Sequence, residues 1–367
     1  RLEYARDAFG KKEAAATRGL KIDEGELKRI FESITLVRDL ATGSIDSMGR
    51  FDEAGIAWET DVPWVDLAGE KLLNSASIED QGRPNSPAGF RVLITHDIDR
   101  TTPCEPYSLV NAVASQYGIR KGKWFATKEA LDRNLIIRTI DKLIEFERAQ
   151  GIRACYFMMS GPYGLRRYST RTNIRWRSAR EVARLVGDGG MELGLHGSYA
   201  AMDNSSYDQE RQRLEDVVER RVRWHRNHYL RFDPLRMAHQ LEGARFEADF
   251  SYGYVGRMGF RAGTAQSYSL YNFVEERKSG VLEVPMLLMD TVLWGADRDR
   301  LLEGFRNHLE WVKLKQGCVS LNFHPETFLF DDSAWGFFSN VVGICRDMGA
   351  DMTGEISADP RHPGSDF

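Results

Sequence analysis

Residues 92–99, VLITHDID, are an apolar run that ends in two carboxylates two positions apart. On an extended backbone, side chains at i and i+2 project from the same face, so Asp97 and Asp99 share one site while His96 points to the other side. Two carboxylates this close repel unless a cation lies between them or one takes a proton. A divalent metal resolves the conflict: one Asp ligates it and the other stays free as a base. A D-x-D alone is equally well read as a strand end whose Asp side chains cap the next turn.

The surroundings of this run set the fold. From Arg91 onward, short β-type stretches (91–95, 153–159, 191–195, 228–232, 246–251, 281–289 and 318–323) alternate with helical ones (128–150, 178–188, 207–223, 298–315 and 334–348). Repeated βα units imply a parallel sheet covered by helices, closed or nearly closed into an α/β barrel. In such folds the chemistry gathers at the carboxyl ends of the strands. That filter leaves His96, Asp97 and Asp99; His196 at the end of ELGLHGSY (192–199); Arg226 and His228 in HRNHYLRF (225–232); Asp249; Asp290; and His324 in SLNFHPE (320–326). Histidine is the commonest metal ligand, and four strand ends that each offer a ligand, acid, base or cation point to an enzyme site.

Composition narrows the classes. The 367 residues are 42% hydrophobic and 28% charged, the balance of a globular protein, and no apolar run is long enough to span a bilayer. A formal charge of −4 creates no field that would gather nucleic acid or an anionic membrane. Arginines 166, 167, 171, 175, 177 and 180 crowd one stretch, which reads first as a solvated loop and helix start and second as a surface for an anionic substrate group. Cys104, Cys155, Cys318 and Cys345 are far apart, with no C-x-x-C pair. They read as reduced thiols and, with no apolar leader in the opening residues, favour a cytoplasmic location.

Residues 1–87 read as an appendage with little catalytic machinery. Asp23 with Glu26 resembles a capping box, and Leu27, Ile30, Phe31, Ile34 and Val37 recur at helical spacing. Beyond it lies a Gly-, Asp- and Pro-punctuated stretch anchored by Trp58, Val62, Trp64, Val65 and Leu67. The barrel is expected over 88–358, with a tail at 359–367.

Over roughly residues 88–356 the chain resembles the polysaccharide deacetylases of the NodB-homology fold, carbohydrate esterase family four, in a D-x-D variant. THDID is similar to the family's first motif, GIRACYFMMSGPYG (151–164) to its second strand, and GDGGMELGLHGSY (187–199) to the lead into its metal histidine. RNHY resembles the third motif, FEADFSYGY with GFRAGT falls where the fourth is expected though without its Asp-Trp signature, and LNFHPE resembles the last. The resemblance implies an irregular (β/α) barrel with Asp97 as general base, Arg226 orienting it, the Tyr229 N–H facing the oxyanion and His324 as general acid. It implies Asp99 and His196 as ligands of a divalent metal, zinc first, and a carbohydrate substrate bearing an acetyl group. The family's second metal histidine would fall at position 200, which is Ala; His228 is the expected substitute. Two other readings stay open: a catalytically inactive barrel that binds carbohydrate, motivated by Ala200, and a hydrolase of cyclic amides or imides. Against the latter, two-metal amidohydrolases show H-x-H where this chain has T-H-D. Oligomeric state is not legible.

Overall fold

The computed structural model describes residues 24–42, 46, 48–53, 56, 60–75, 89–117, 127–165, 168–354 and 356. Asp23, Trp58, Arg166, Arg167 and the tail at 359–367 lie outside them. Nine strands form one sheet: β1 (Arg91–Ile98), β2 (Cys155–Met158), β3 (Glu192–Gly197), β4 (Trp224–Asn227), β5 (Ala248–Asp249), β6 (Tyr268–Asn272), β7 (Arg277–Glu283), β8 (Met286–Met289) and β9 (Cys318–Asn322). Their order is β6-β7-β5-β4-β3-β2-β1-β9-β8, and every pairing is parallel except β6 against β7. The sheet curls into a half-barrel and is open, since β6 and β8 are its edges. The parallel α/β architecture expected from the sequence is the one the chain forms.

The helices cover the sheet because their apolar residues recur on one face. Labelled in chain order, those that matter below are α1 (Glu24–Ile34), α2 (Val37–Thr42), α3 (Trp64–Ser75), α4 (Pro106–Gln116), α5 (Leu135–Ala149), α6 (Arg177–Asp188) and α7 (Tyr207–Val218). In α5, Ile136, Ile137, Ile140, Leu143 and Ile144 are buried, and Glu147 completes that face against β1 and β2. α1 ends where the chain turns at Leu36, whose φ of 55° no helix tolerates, so Val37 begins a second helix instead of continuing the first. Ile30, Phe31, Ile34, Leu36, Val65 and Ala68 belong to the same apolar core as the strands of the sheet.

Several expected boundaries move. The strand placed at 228–232 is in fact β4, four residues earlier, followed by a single 3₁₀ turn (His228–Leu230). Tyr229 and Leu230 have φ of 61° and 52°, which an extended strand excludes. The run 281–289 divides at Pro285, which has no N–H to give a ladder, into β7 and β8. The helix expected over 128–150 is two helices, a short one at Thr127–Ala130 and then α5. β6 lay outside the expected strands.

Strand β1 lies between β2 and β9, third from the β8 edge, and its carboxyl end meets side chains from β3, β4 and β9. Registers His196↔Arg226 and Thr95↔Asn322 fix which side chains can face each other there.

Candidate active site

Asp97 is 2% exposed and closely held. Its Oδ1 accepts from Arg226 Nη1 at 2.9 Å and its Oδ2 from Asn322 Nδ2 at 2.8 Å. Arg226 is fully buried. It reaches from β4 past β3 and β2, lies over the Phe157 ring at 4.6 Å, and also donates to Thr95 Oγ1 and the Phe250 carbonyl. Burial would push the Asp97 carboxyl up, but Arg226 first, then His196 and His324, hold it below the ordinary carboxylate value. Removing two charges from water costs several kcal/mol per ion, so this pair is poorly explained as a stability device. It keeps one carboxylate charged in the buried end of the sheet.

Beside it, Asp99 Oδ1 is 3.3 Å from His196 Nε2 and 3.5 Å from His228 Nε2. One potential ligand atom from each of the three lies within 4.8 Å of the others. His196 Nδ1 is 3.1 Å from the Arg226 carbonyl, an acceptor only, so that nitrogen carries the proton and Nε2 turns its lone pair toward the carboxylates. Burial lowers His196, yet Asp97 and Asp99 together raise it above the ordinary imidazole value. For His228 burial wins, and its imidazole is pushed down to about 3, neutral at physiological pH. Burial would raise Asp99, but the imidazoles crowded against it, His228 first, hold it well below the carboxylate range.

Two observations test whether a cation fits. Asp99 Oδ1, which faces both imidazoles, is buried without a hydrogen-bond partner, a costly state for a carboxylate oxygen unless something else satisfies it. The donor set, two imidazoles and one carboxylate, is of the kind that holds a catalytic zinc while leaving coordination positions open. The residues fit a divalent metal held by Asp99, His196 and His228.

His324 closes the opposite side. Its backbone N–H and its Nδ1 both meet Asp290, at 2.6 and 2.8 Å, and its Nε2 is 3.9 Å from Asp97 Oδ2. His196 Nε2 is also 3.9 Å from that oxygen, so two imidazoles flank one carboxylate. Burial opposes charge on His324, but the Asp290 carboxylate overrides it and the imidazole is pushed up to about 10.

Tyr229 sits on the turn after β4 with its ring stacked on His228 at 3.8 Å. Its left-handed backbone, unusual for a side chain of that size, costs about 1–2 kcal/mol and turns the chain sharply beside the triad. Tyr199 stacks on Tyr168 at 4.5 Å, and both meet the Tyr229 ring edge-on. Tyr252 and Tyr254 are buried in the interior. Asp249 accepts from His225 Nδ1 at 2.7 Å. Arg171 is buried and lies over the Tyr107 ring, whereas Arg175, Arg177 and Arg180 are exposed. Sequence reasoning passed over Asn322. It precedes His324 by two residues and faces the same side as Thr95 across the β1–β9 pair, and that register is the signal that would have found it.

Fold and site together define a parallel α/β half-barrel with a carboxylate–imidazole centre at its strand tips. No protein-family model matches the sequence, and no curated protein sequence matches it. Among solved structures, the chain is similar to a protein of Mycobacterium smegmatis assigned to the polysaccharide deacetylases, at 14% identity over 73% of this chain and 88% of that one, with a TM-score of 0.48. It is also similar to the chitin deacetylase of Colletotrichum lindemuthianum (13%, 72% and 84%, TM-score 0.39) and to a polysaccharide deacetylase of Bacillus cereus (9%, 75% and 98%, TM-score 0.39). Among the described residues, no helix is long and apolar enough to cross a membrane. None of the four cysteines is paired.

Proposed function

We propose that this chain is a metal-dependent hydrolase that removes an acetyl group from an N- or O-acetylated sugar or polysaccharide. The observation that carries the reading is one carboxylate, Asp97, kept ionised by a buried arginine and placed between a carboxylate–imidazole triad and an imidazole that carries its own Asp partner. Metal-assisted amide or ester hydrolysis uses these groups: a base for water, a cation at the carbonyl, and an acid for the leaving atom.

A divalent cation, zinc first, held by Asp99, His196 and His228 would polarise the acetyl carbonyl and acidify the attacking water. Asp97 takes the proton from that water, a contribution of roughly 10²–10⁴-fold for positioned acid–base groups. Arg226 keeps Asp97 charged and Asn322 fixes its second oxygen, so the base neither rotates nor protonates on burial. The Tyr229 N–H stabilises charge on the carbonyl oxygen, worth roughly 3–4 kcal/mol where such donors have been removed. His324, protonated through neutral pH with Asp290 behind it, gives its proton to the departing amine or alcohol.

A second reading, a barrel that binds carbohydrate without turnover, rests on Ala200, which offers no ligand atom where a second histidine would be expected. Acetate release from a panel of N- and O-acetylated sugars, assayed with Asp97→Asn and His324→Ala as controls, separates the two. Turnover by the wild type and its loss in both variants support the hydrolase. Equal release by all three removes the residue assignments, and binding without release favours the second reading.

A further inference from the structure

Residues 250–267, between β5 and β6, form neither helix nor strand, a length at which loops are uncommon unless they serve a site. The Tyr252 N–H on Glu283, the Gly259 N–H on the Leu287 carbonyl and the Cys318 N–H on the Ala265 carbonyl tie this loop to the sheet, and a further set of ties comes from the N-terminal segment. Both carboxylate oxygens of Glu53 accept backbone N–H groups, those of Val255 and Gly256. Asp39 of α2 pairs with Arg261 at 3.1 Å, and Arg261 donates in turn to the Gly253 carbonyl. Asp66 of α3 accepts from the Thr264 hydroxyl and the Ala265 N–H at 2.6 and 2.9 Å.

The loop passes that order on to the site. Val255 packs against a small apolar cluster of Leu230, Met286 and Met289. Leu230 ends the turn that holds His228 and Tyr229, and Met289 directly precedes Asp290, the partner of His324. The Thr291 hydroxyl donates to the Val255 carbonyl, a second tie between the loop and the Asp290 turn. Gly253 approaches Met286 so closely that a Cβ would meet its side chain at 2.5 Å, leaving the loop little room to shift.

We propose that Glu53 is a positioning residue: by fixing the amides of Val255 and Gly256 it holds the Val255–Leu230–Met289 contact, and through it the His228 turn and the Asp290–His324 pair. The N-terminal segment then supports the candidate site from behind the loop. The inference takes its interest from the hydrolase reading but is tested without substrate, so either can fail alone.

The test is amide hydrogen exchange on the full chain, comparing wild type with Glu53→Ala and Glu53→Gln. Glu53→Ala is expected to speed exchange at 253–257 by roughly tenfold, and also at 228–231 and 290–292, with the global urea midpoint nearly unchanged. Glu53→Gln keeps one carbonyl acceptor, so the same segments accelerate less. Acceleration confined to 253–257 in both variants, or a uniform rise across the chain, overturns the proposal. Should Glu53→Ala fail to fold, Glu53→Gln alone decides by whether 228–231 responds.

Discussion

Two histidines at strand tips of the same sheet, His96 and His196, have opposite surroundings. His96 faces the helices: its Nδ1 meets the Phe323 carbonyl at 2.7 Å, its Nε2 meets Glu147 of α5 at 2.6 Å, and its ring stacks on Tyr156, whose hydroxyl donates to the same Glu147. Both ring nitrogens are satisfied by protein. His196 faces the inside of the curl, where one nitrogen is fixed by a carbonyl and the other is turned toward Asp97 and Asp99, with the unpaired oxygen of Asp99 beside it. Burial does not separate them, since both side chains are almost fully enclosed. Saturation does. A histidine whose hydrogen bonds are complete holds structure together, and one that leaves a lone pair among unpaired acceptors is built to receive something.

Four predictions press on that contrast. Asp97→Asn, which removes the base and keeps its shape, should lower acetate release by roughly 10²–10⁴-fold while metal content is retained. On the saturated side, Glu147→Ala strips the partner from His96 and Tyr156 and should cost about 3–5 kcal/mol in urea unfolding, the range for breaking a buried pair, with metal affinity unchanged. A loss of metal in that variant would erase the distinction between the two faces. His228→Ala should weaken zinc binding in a competition titration by at least the roughly 10–100-fold that even groups behind a ligand command.

The smallest effect concerns pH. His324 is raised above its unfolded value by Asp290, so its charged form is favoured in the fold. The stabilisation is present below the unfolded imidazole value, about 6.5, and is lost as pH rises through about 10. Asp290→Asn should therefore move the alkaline limb of the kcat profile to lower pH and leave the acid limb in place. An unmoved alkaline limb would take His324 out of the acid role.

The sequence made the parallel architecture legible because apolar strand runs ending in His or Asp are a local pattern. The spacing of Asp97 and Asp99 placed them on one face, as the distances to His196 bear out. The end of β4 was illegible. Its four residues, Trp-His-Arg-Asn, carry no apolar run, so although the resemblance assigned Arg226 to Asp97, the strand itself was sought four residues later in HYLRF. The two left-handed residues at 229 and 230 carry none of the glycines that would announce a turn. Likewise the hold of residues 39, 53 and 66 on a loop some two hundred positions away is a matter of tertiary contact, which no periodicity encodes.

Cobalt(II) titration of the metal-stripped full chain, followed by its visible absorption, is the most direct measurement. One equivalent should bind to the wild type with a spectrum that changes in His228→Ala and vanishes when Asp99 and His196 are both replaced by Ala. Identical binding by that double variant, or no binding by the wild type, would show that these strand tips do not converge on a cation.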